Sequence, residues 1–283
     1  MSAVQRPAWS GAFEPGTLEM LQRIGPPEQI TREWAWGDST GAGVRVAVID
    51  SGIDAGHPAV GGHVDYAAVR EVDGEIEIDT SPHGDDFGHG TACASIIRQL
   101  APDCLLTSVK VLGPNMTGRG AVFAAGLRWA IENGMQVCNL SLGTTKRDFY
   151  AVLHELVDDA YFRNVMLVTA AHNMPLLSFP STYSSVISVA SHDVRDAEVY
   201  YCNPHPPVEF GALGIDVRVA WLNGEWITAT GNSFATPHIA GLVTRMLGKH
   251  PGLTVVHVKG ILRALASNVV DDPGLESGGL AEA

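Results

Sequence analysis

The segment "VRVAVIDSGID" at residues 44–54 decides the architecture. Apart from Arg45, residues 44–49 are apolar on both faces of an extended chain. A strand with one wet face alternates polar and apolar residues, whereas a run apolar on both faces suits a parallel sheet covered by helices on each side. Similar runs follow: "LLTSVKV" (105–111), "QVCNLSL" (136–142), "VMLVTA" (165–170) and "VISVA" (186–190). Helical spacing falls between them, in "GAVFAAGLRWAIENG" (120–134) and "RDFYAVLHELVDDAYFRN" (147–164). The expected fold is α/β, a three-layer sandwich whose mostly parallel central sheet is flanked by helices. Asp50 ends the first strand at its carboxyl end, where open α/β sheets place their sites, although an aspartate leaving a strand also serves as a turn former.

The composition narrows the function. The 283 residues are 46% hydrophobic and 17% charged, enough to bury a large core in one domain. A net charge of −13 and a pI near 5.2 argue against nucleic acid and anionic membranes as partners. The first twenty residues show no signal-peptide pattern, and no 18-residue apolar run exists. Four cysteines, at 93, 104, 138 and 202, lack the dense spacing of a disulfide scaffold, so reduced thiols and a cytoplasmic location are expected. "PHPP" (204–207) reads as a surface loop. Oligomeric state is not legible.

Two further segments carry chemistry. In "GNSFATPHIAGL" (231–242), Pro237 is read as lying in the first turn of a helix, where a missing N–H costs nothing, so Ser233 sits near that helix's N-terminus. A serine there is a favoured N-cap; it is also where unpaired N–H groups and the helix dipole stabilise the negative charge of a nucleophile and its oxyanion. In "DDFGHGTACASII" (85–97), His89 stands between two glycines at the start of a small-residue helix.

The order "DSG", "HGT", "GNSFATPH" resembles the subtilisin-like serine proteases, and "VKVLG", "AIENGMQVCNLSLG" and "YSSVISVAS" extend the resemblance over most of the chain. It implies a serine endopeptidase in which Ser233 is the nucleophile, His89 the general base and acid, and Asp50 the group that holds the imidazole tautomer. In "VTAAHNMP", Asn173 matches the family's oxyanion side chain. Substrate would lie extended between the segments matching "SLG" (Ser141, Leu142, Gly143) and "TGRG" (Thr117, Gly118, Arg119, Gly120), although "NLSLG" also reads as a core strand with its turn and Arg119 as a solvated side chain. His172 and Ser178 fall on the wall and floor of the specificity pocket and would make it small and polar, unless His172 points to solvent.

The sequence departs from the family in several places. Asn232 replaces the threonine usual before the nucleophile, and Phe234 the usual methionine after it. Cys93, one helical turn past His89, is either a buried small residue or, as in some relatives, a thiol open to heavy-metal reagents. The eleven histidines show no metal-ligand spacing, and no metal or cofactor is expected. In many relatives a calcium-binding loop interrupts the helix after the catalytic histidine; here "HGTACASIIRQLAPDCLLTSVKV" runs almost directly into the next strand. The expected organisation is an N-terminal extension with helices packing on the catalytic domain (1–40), a subtilisin-like catalytic domain (41–270) and a C-terminal tail (271–283). Taking Met1 as the start, the domain carries no prodomain and is restrained by other means, such as narrow specificity. The implied role is selective processing of a peptide or protein. Alternatives are maturation of a precursor peptide, by hydrolysis or transpeptidation, and a catalytically silent peptide binder.

Overall fold

A computed structural model describes residues 30–269. Nine strands form one sheet: β1 (Arg45–Asp50), β2 (Val64–Val72), β3 (Glu75–Asp79), β4 (Leu105–Lys110), β5 (Val137–Leu140), β6 (Met166–Ala170), β7 (Ile187–His192), β8 (Tyr200–Cys202) and β9 (Phe210–Leu213). Their order is β3, β2, β4, β1, β5, β6, β7, β9, β8. Every pairing from β2 across to β9 is parallel, while β3 and β8 close the two edges antiparallel. A separate antiparallel ribbon joins β10 (Val217–Ala220) to β11 (Trp226–Ala229). The helices are α1 (Arg32–Ala35), α2 (His89–Leu100), α3 (Gly120–Glu132), α4 (Tyr150–Phe162), α5 (Asn232–Lys249) and α6 (Val255–Ala264).

The first strand shows why three layers form. Val46 and Val48 point into one core, with Cys93 and Ile97 of α2, Ile239 and Val243 of α5 and Val258 of α6. Ala47 and Ile49 point into the other, with Leu127 and Ile131 of α3 and Leu153 and Leu156 of α4. Burying each such valine, leucine or isoleucine contributes about 1.5–3 kcal/mol, so a strand apolar on both faces gains from a helix layer on each side.

Differences from the sequence reading have physical causes. β3, "EIEID", is exposed along its whole length, so no apolar signal marks it; its three acids suit an edge that must not pair further. Pro237 is the sixth residue of α5 rather than part of its first turn, so its missing N–H leaves a carbonyl free inside the helix. Residues 1–29 of the expected extension and the tail 271–283 lie outside the described residues. The described part of the extension includes α1, whose Ala35 is buried in the first core.

This topology gathers the site. Asp50 ends β1, β5 on one side of β1 ends at Leu140, and β6 beyond it ends at Ala170. Residues 50, 141–143 and 171–173 therefore leave the sheet at one carboxyl edge. Helix α5 presents its N-terminal end there, where the Asn232 side chain bonds to Ala171 and His172.

Candidate active site

Asp50 is fully buried, and its Oδ1 accepts the backbone N–H of Ser51 at 2.8 Å. Both of its oxygens lie 2.9 Å from Nδ1 of His89. An ionised carboxylate only accepts, so Nδ1–H of His89 donates and Nε2 keeps its lone pair. Burial of His89 works to lower its pKa, but the charge of Asp50, the hydrogen bond to it and the charge of Asp85 together outweigh burial and raise the pKa above 6.5.

His89 opens α2, and Gly88 before it has a φ of 109° and no capping side chain. The capping is done by Asp85: its Oδ1 accepts from Ser51 Oγ (2.8 Å), Phe87 N–H (3.0 Å) and Gly88 N–H (2.8 Å), and its Oδ2 from Thr91 N–H (2.9 Å) and Thr91 Oγ (2.6 Å). A carboxylate at a helix N-terminus is favoured by the unpaired N–H groups and the dipole. Gly90 is required for close approach, because a Cβ there would meet the Gly52 carbonyl at 2.0 Å.

Ser233 is the second residue of α5, and the cap position is Gly231, so Ser233 is not the helix cap. Pro237 cannot donate to the carbonyl four residues earlier, which is that of Ser233. Ser141 fills the vacancy, its Oγ donating to Ser233 O at 2.8 Å while accepting from Asn139 Nδ2 at 2.9 Å. Ser141 thus supports the residue it was expected to sit beside as a substrate edge. Cys93 Sγ lies 3.3 Å from Ser141 Oγ; burial, then the Asp50 charge, pushes its pKa well up, so it is an inert buried thiol and not a reactive one.

His89, Ser233, Asn173, His172, Ser178 and Ser141–Gly143 line one cleft of about 310 Å³. Ser233 Oγ and His89 share this cleft without a hydrogen bond between them. Asn173 Oδ1 accepts the backbone N–H of Asn232 at 2.9 Å, which leaves its Nδ2 unpaired near Ser233. A Cβ on Gly231 would lie 3.2 Å from Ser233 Oγ and 3.5 Å from Asn173 Nδ2. Ser178 is buried with its Oγ 2.9 Å from that of Ser181. His172 is exposed, and its Nδ1 accepts Met174 N–H at 3.0 Å.

Thr117, Gly118, Arg119 and Gly120 do not reach this cleft; with Ser141–Gly143 they line an adjoining cavity of about 370 Å³. The Arg119 side chain is largely exposed and pairs with Glu71 of β2. Among the described residues, Asp50, His89 and Cys93 form one group whose ligand atoms lie within 4.8 Å of one another. Asp50 and His89 are already engaged to each other, and Asp50 also to the Ser51 N–H, so this set does not suit a resident metal ion. Nor does the end of α2 fit calcium: four residues separate it from β4, and the carbonyls of Pro102 and Cys104 there accept from Arg98 at 2.7 Å each.

Asp85 and the side chain of Asn232 were not singled out as site residues by sequence. An acid just before a helix start was the available signal for Asp85; for Asn232 it was the departure from the family's usual threonine, which does not say where the side chain reaches.

Residues 41–278 match the model described as the Subtilase family, Peptidase_S8. The chain is 33% identical over 275 residues to the minor extracellular protease Epr of Bacillus subtilis, covering 93% of this chain and 39% of that protein. It is 32% identical over 255 residues to a thermostable alkaline protease of Halalkalibacterium halodurans (86% and 67% covered), and 31% identical over 249 residues to subtilisin DY of Bacillus licheniformis (82% and 86%). The crystal structure of a cold-adapted subtilisin-like serine proteinase superposes with a TM-score of 0.70 at 30% identity, over 83% of this chain and 86% of that one. With a family model spanning most of its length and a shared fold at this level of identity, the chain belongs to the subtilase family.

Proposed function

We propose that this subtilase is a serine endopeptidase in which Asp50, His89 and Ser233 form the catalytic triad. The observation that carries the reading is the buried Asp50 holding Nδ1 of His89 through both oxygens, which turns Nε2 toward the cleft that Ser233 and Asn173 share. Ser233 Oγ attacks the scissile carbonyl carbon and its proton passes to Nε2 of His89, while Asp50 stabilises the imidazolium. The contact between Ser233 and His89, open at rest, closes in the substrate complex. Oxyanion charge falls on Asn173 Nδ2 and on the N–H of Ser233, which lies in the first turn of α5 where backbone donors have no intrahelical acceptor. His89 then protonates the leaving amine, and water, activated by His89, releases the acyl group from Ser233.

The peptide or protein substrate binds extended, with its backbone between the 117–120 and 141–143 segments and its P1 side chain beside His172 and Ser178. The job is selective processing. We place the enzyme in the cytoplasm: all four cysteines are buried, unpaired thiols, as a reducing compartment allows, although one relative is named extracellular. Among the described residues no helix is long and apolar enough to cross a membrane.

The test is labelling with a fluorophosphonate, which modifies an activated serine. Stoichiometric labelling at Ser233, lost in Ser233→Ala and His89→Ala, is expected. A folded wild-type chain that takes no label would leave the silent binder as the better reading.

A further inference from the structure

We infer that Asn232 is a positioning residue, whose side chain holds the loop carrying Asn173 in register with Ser233; this rests on the oxyanion role proposed for Asn173. Asn232 opens α5 and stands next to Ser233 in the chain. Its Oδ1 accepts the backbone N–H of Ser191, in β7, at 2.9 Å. Its Nδ2 donates to the carbonyls of Ala171 (3.1 Å) and His172 (3.2 Å), the two residues before Asn173. Its own backbone N–H donates to Asn173 Oδ1 at 2.9 Å, which fixes which end of that amide is left for the cleft.

The bonding pattern demands an amide. One acceptor faces an N–H and two donors face two carbonyls, so the reverse orientation of the Asn232 amide would set like groups against each other. A threonine supplies one donor, and an alanine none. Three of the four bonds end on residues 171–173, so one residue ties the donor of the oxyanion site to the backbone of the nucleophile. Displacing such a donor by about 1 Å costs on the order of a hundredfold in rate, and partial loosening correspondingly less.

The experiment measures kcat and KM separately on a chromogenic peptide, with melting temperatures, for wild type, Asn232→Ala, Asn232→Thr, Asn173→Ala and the two double variants. Asn232→Ala is expected to lower kcat about tenfold with KM changed less than about twofold, and Asn232→Thr to fall between it and wild type. In the Asn173→Ala background either change should cost less than about twofold, because the group being positioned is gone. A purely structural role would lower the melting temperature and leave the losses multiplicative. Equal fold-losses in both backgrounds, or unchanged kcat in both single variants, would overturn the inference while leaving the proposed function standing. A wild type that neither turns over peptide nor takes fluorophosphonate would overturn both.

Discussion

Arg98 sits in the last turn of α2, and replacing it with methionine should destabilise the chain without touching its chemistry. Nε of Arg98 donates to Val60 O at 2.9 Å, and Nη1 to Pro102 O and Cys104 O at 2.7 Å each. Val60 belongs to the connection from β1 to β2, and Pro102 and Cys104 to the link from α2 to β4, so one guanidinium joins two separate connections. Methionine keeps the apolar stem and removes only the donors. Hydrogen bonds from a charged group contribute about 1.5–3 kcal/mol each, but the Pro102 contact is exposed and the others are only partly buried, so water recovers much of the loss. A net cost of about 2–4 kcal/mol remains, which for a domain of this size is a fall of about 5–15 °C in melting temperature. The helix carries His89 at its other end, about 13 Å away at the usual rise per residue, so fluorophosphonate labelling at room temperature should persist. The assay is a circular-dichroism melt with and without a chelator. A drop below about 2 °C in Arg98→Met would show that water replaces the guanidinium in full. A wild type that loses many degrees on chelation would show that an ion, rather than Arg98, secures the fold.

Asn173→Ala should lower kcat by about 10²–10³-fold, a magnitude taken from the oxyanion donor of subtilisin itself, with little change in melting temperature; unchanged turnover would require another donor. Catalysis needs neutral His89, and because Asp50 raises its pKa, activity is present above that pKa and lost as pH falls through it. The acidic limb of kcat/KM should therefore lie above 6.5, and in Asp50→Asn, where burial is opposed by the Asp85 charge without that of Asp50, the limb of the residual activity should move to lower pH; a wild-type limb at or under 6.5 would contradict this. If His172 narrows the P1 pocket, wild type should prefer small or polar P1 residues, and His172→Gly should recover cleavage after Phe or Leu by about tenfold, roughly 1.4 kcal/mol in transition-state binding. Equal preference for Phe and Leu in both proteins across a P1-varied library would remove His172 from specificity.

The five strands read from sequence are those that the sheet and its two helix layers bury, because burial on both faces writes a continuous apolar run. β2 mixes buried and exposed positions and β3 faces water throughout, so the edge beyond β4 was invisible to the same reasoning. Asp50, His89 and Ser233 each stand at a strand end or helix start, among small residues such as Gly90 and Gly231 that permit close approach, but it is the order of their three motifs, which resembles the subtilases, that singles them out in the sequence. What supports them is not local. The Ser233 carbonyl freed by Pro237 is answered from 92 residues away by Ser141, and Asn232 reaches 61 and 60 residues back to Ala171 and His172. Neither partner can be found from spacing, since a parallel sheet brings distant strand ends together. The Ser141 hydroxyl in "SLG" bonds to the Ser233 carbonyl and the Arg119 side chain pairs with Glu71, contacts that leave the substrate role proposed for the backbone of both segments untouched. Residue types at strand ends thus locate the chemistry, while its geometry is set by polar contacts between connections that only the fold makes neighbours. Substitutions at Ser141 and Asn232 should accordingly alter rate although Asp50, His89 and Ser233 themselves are unchanged.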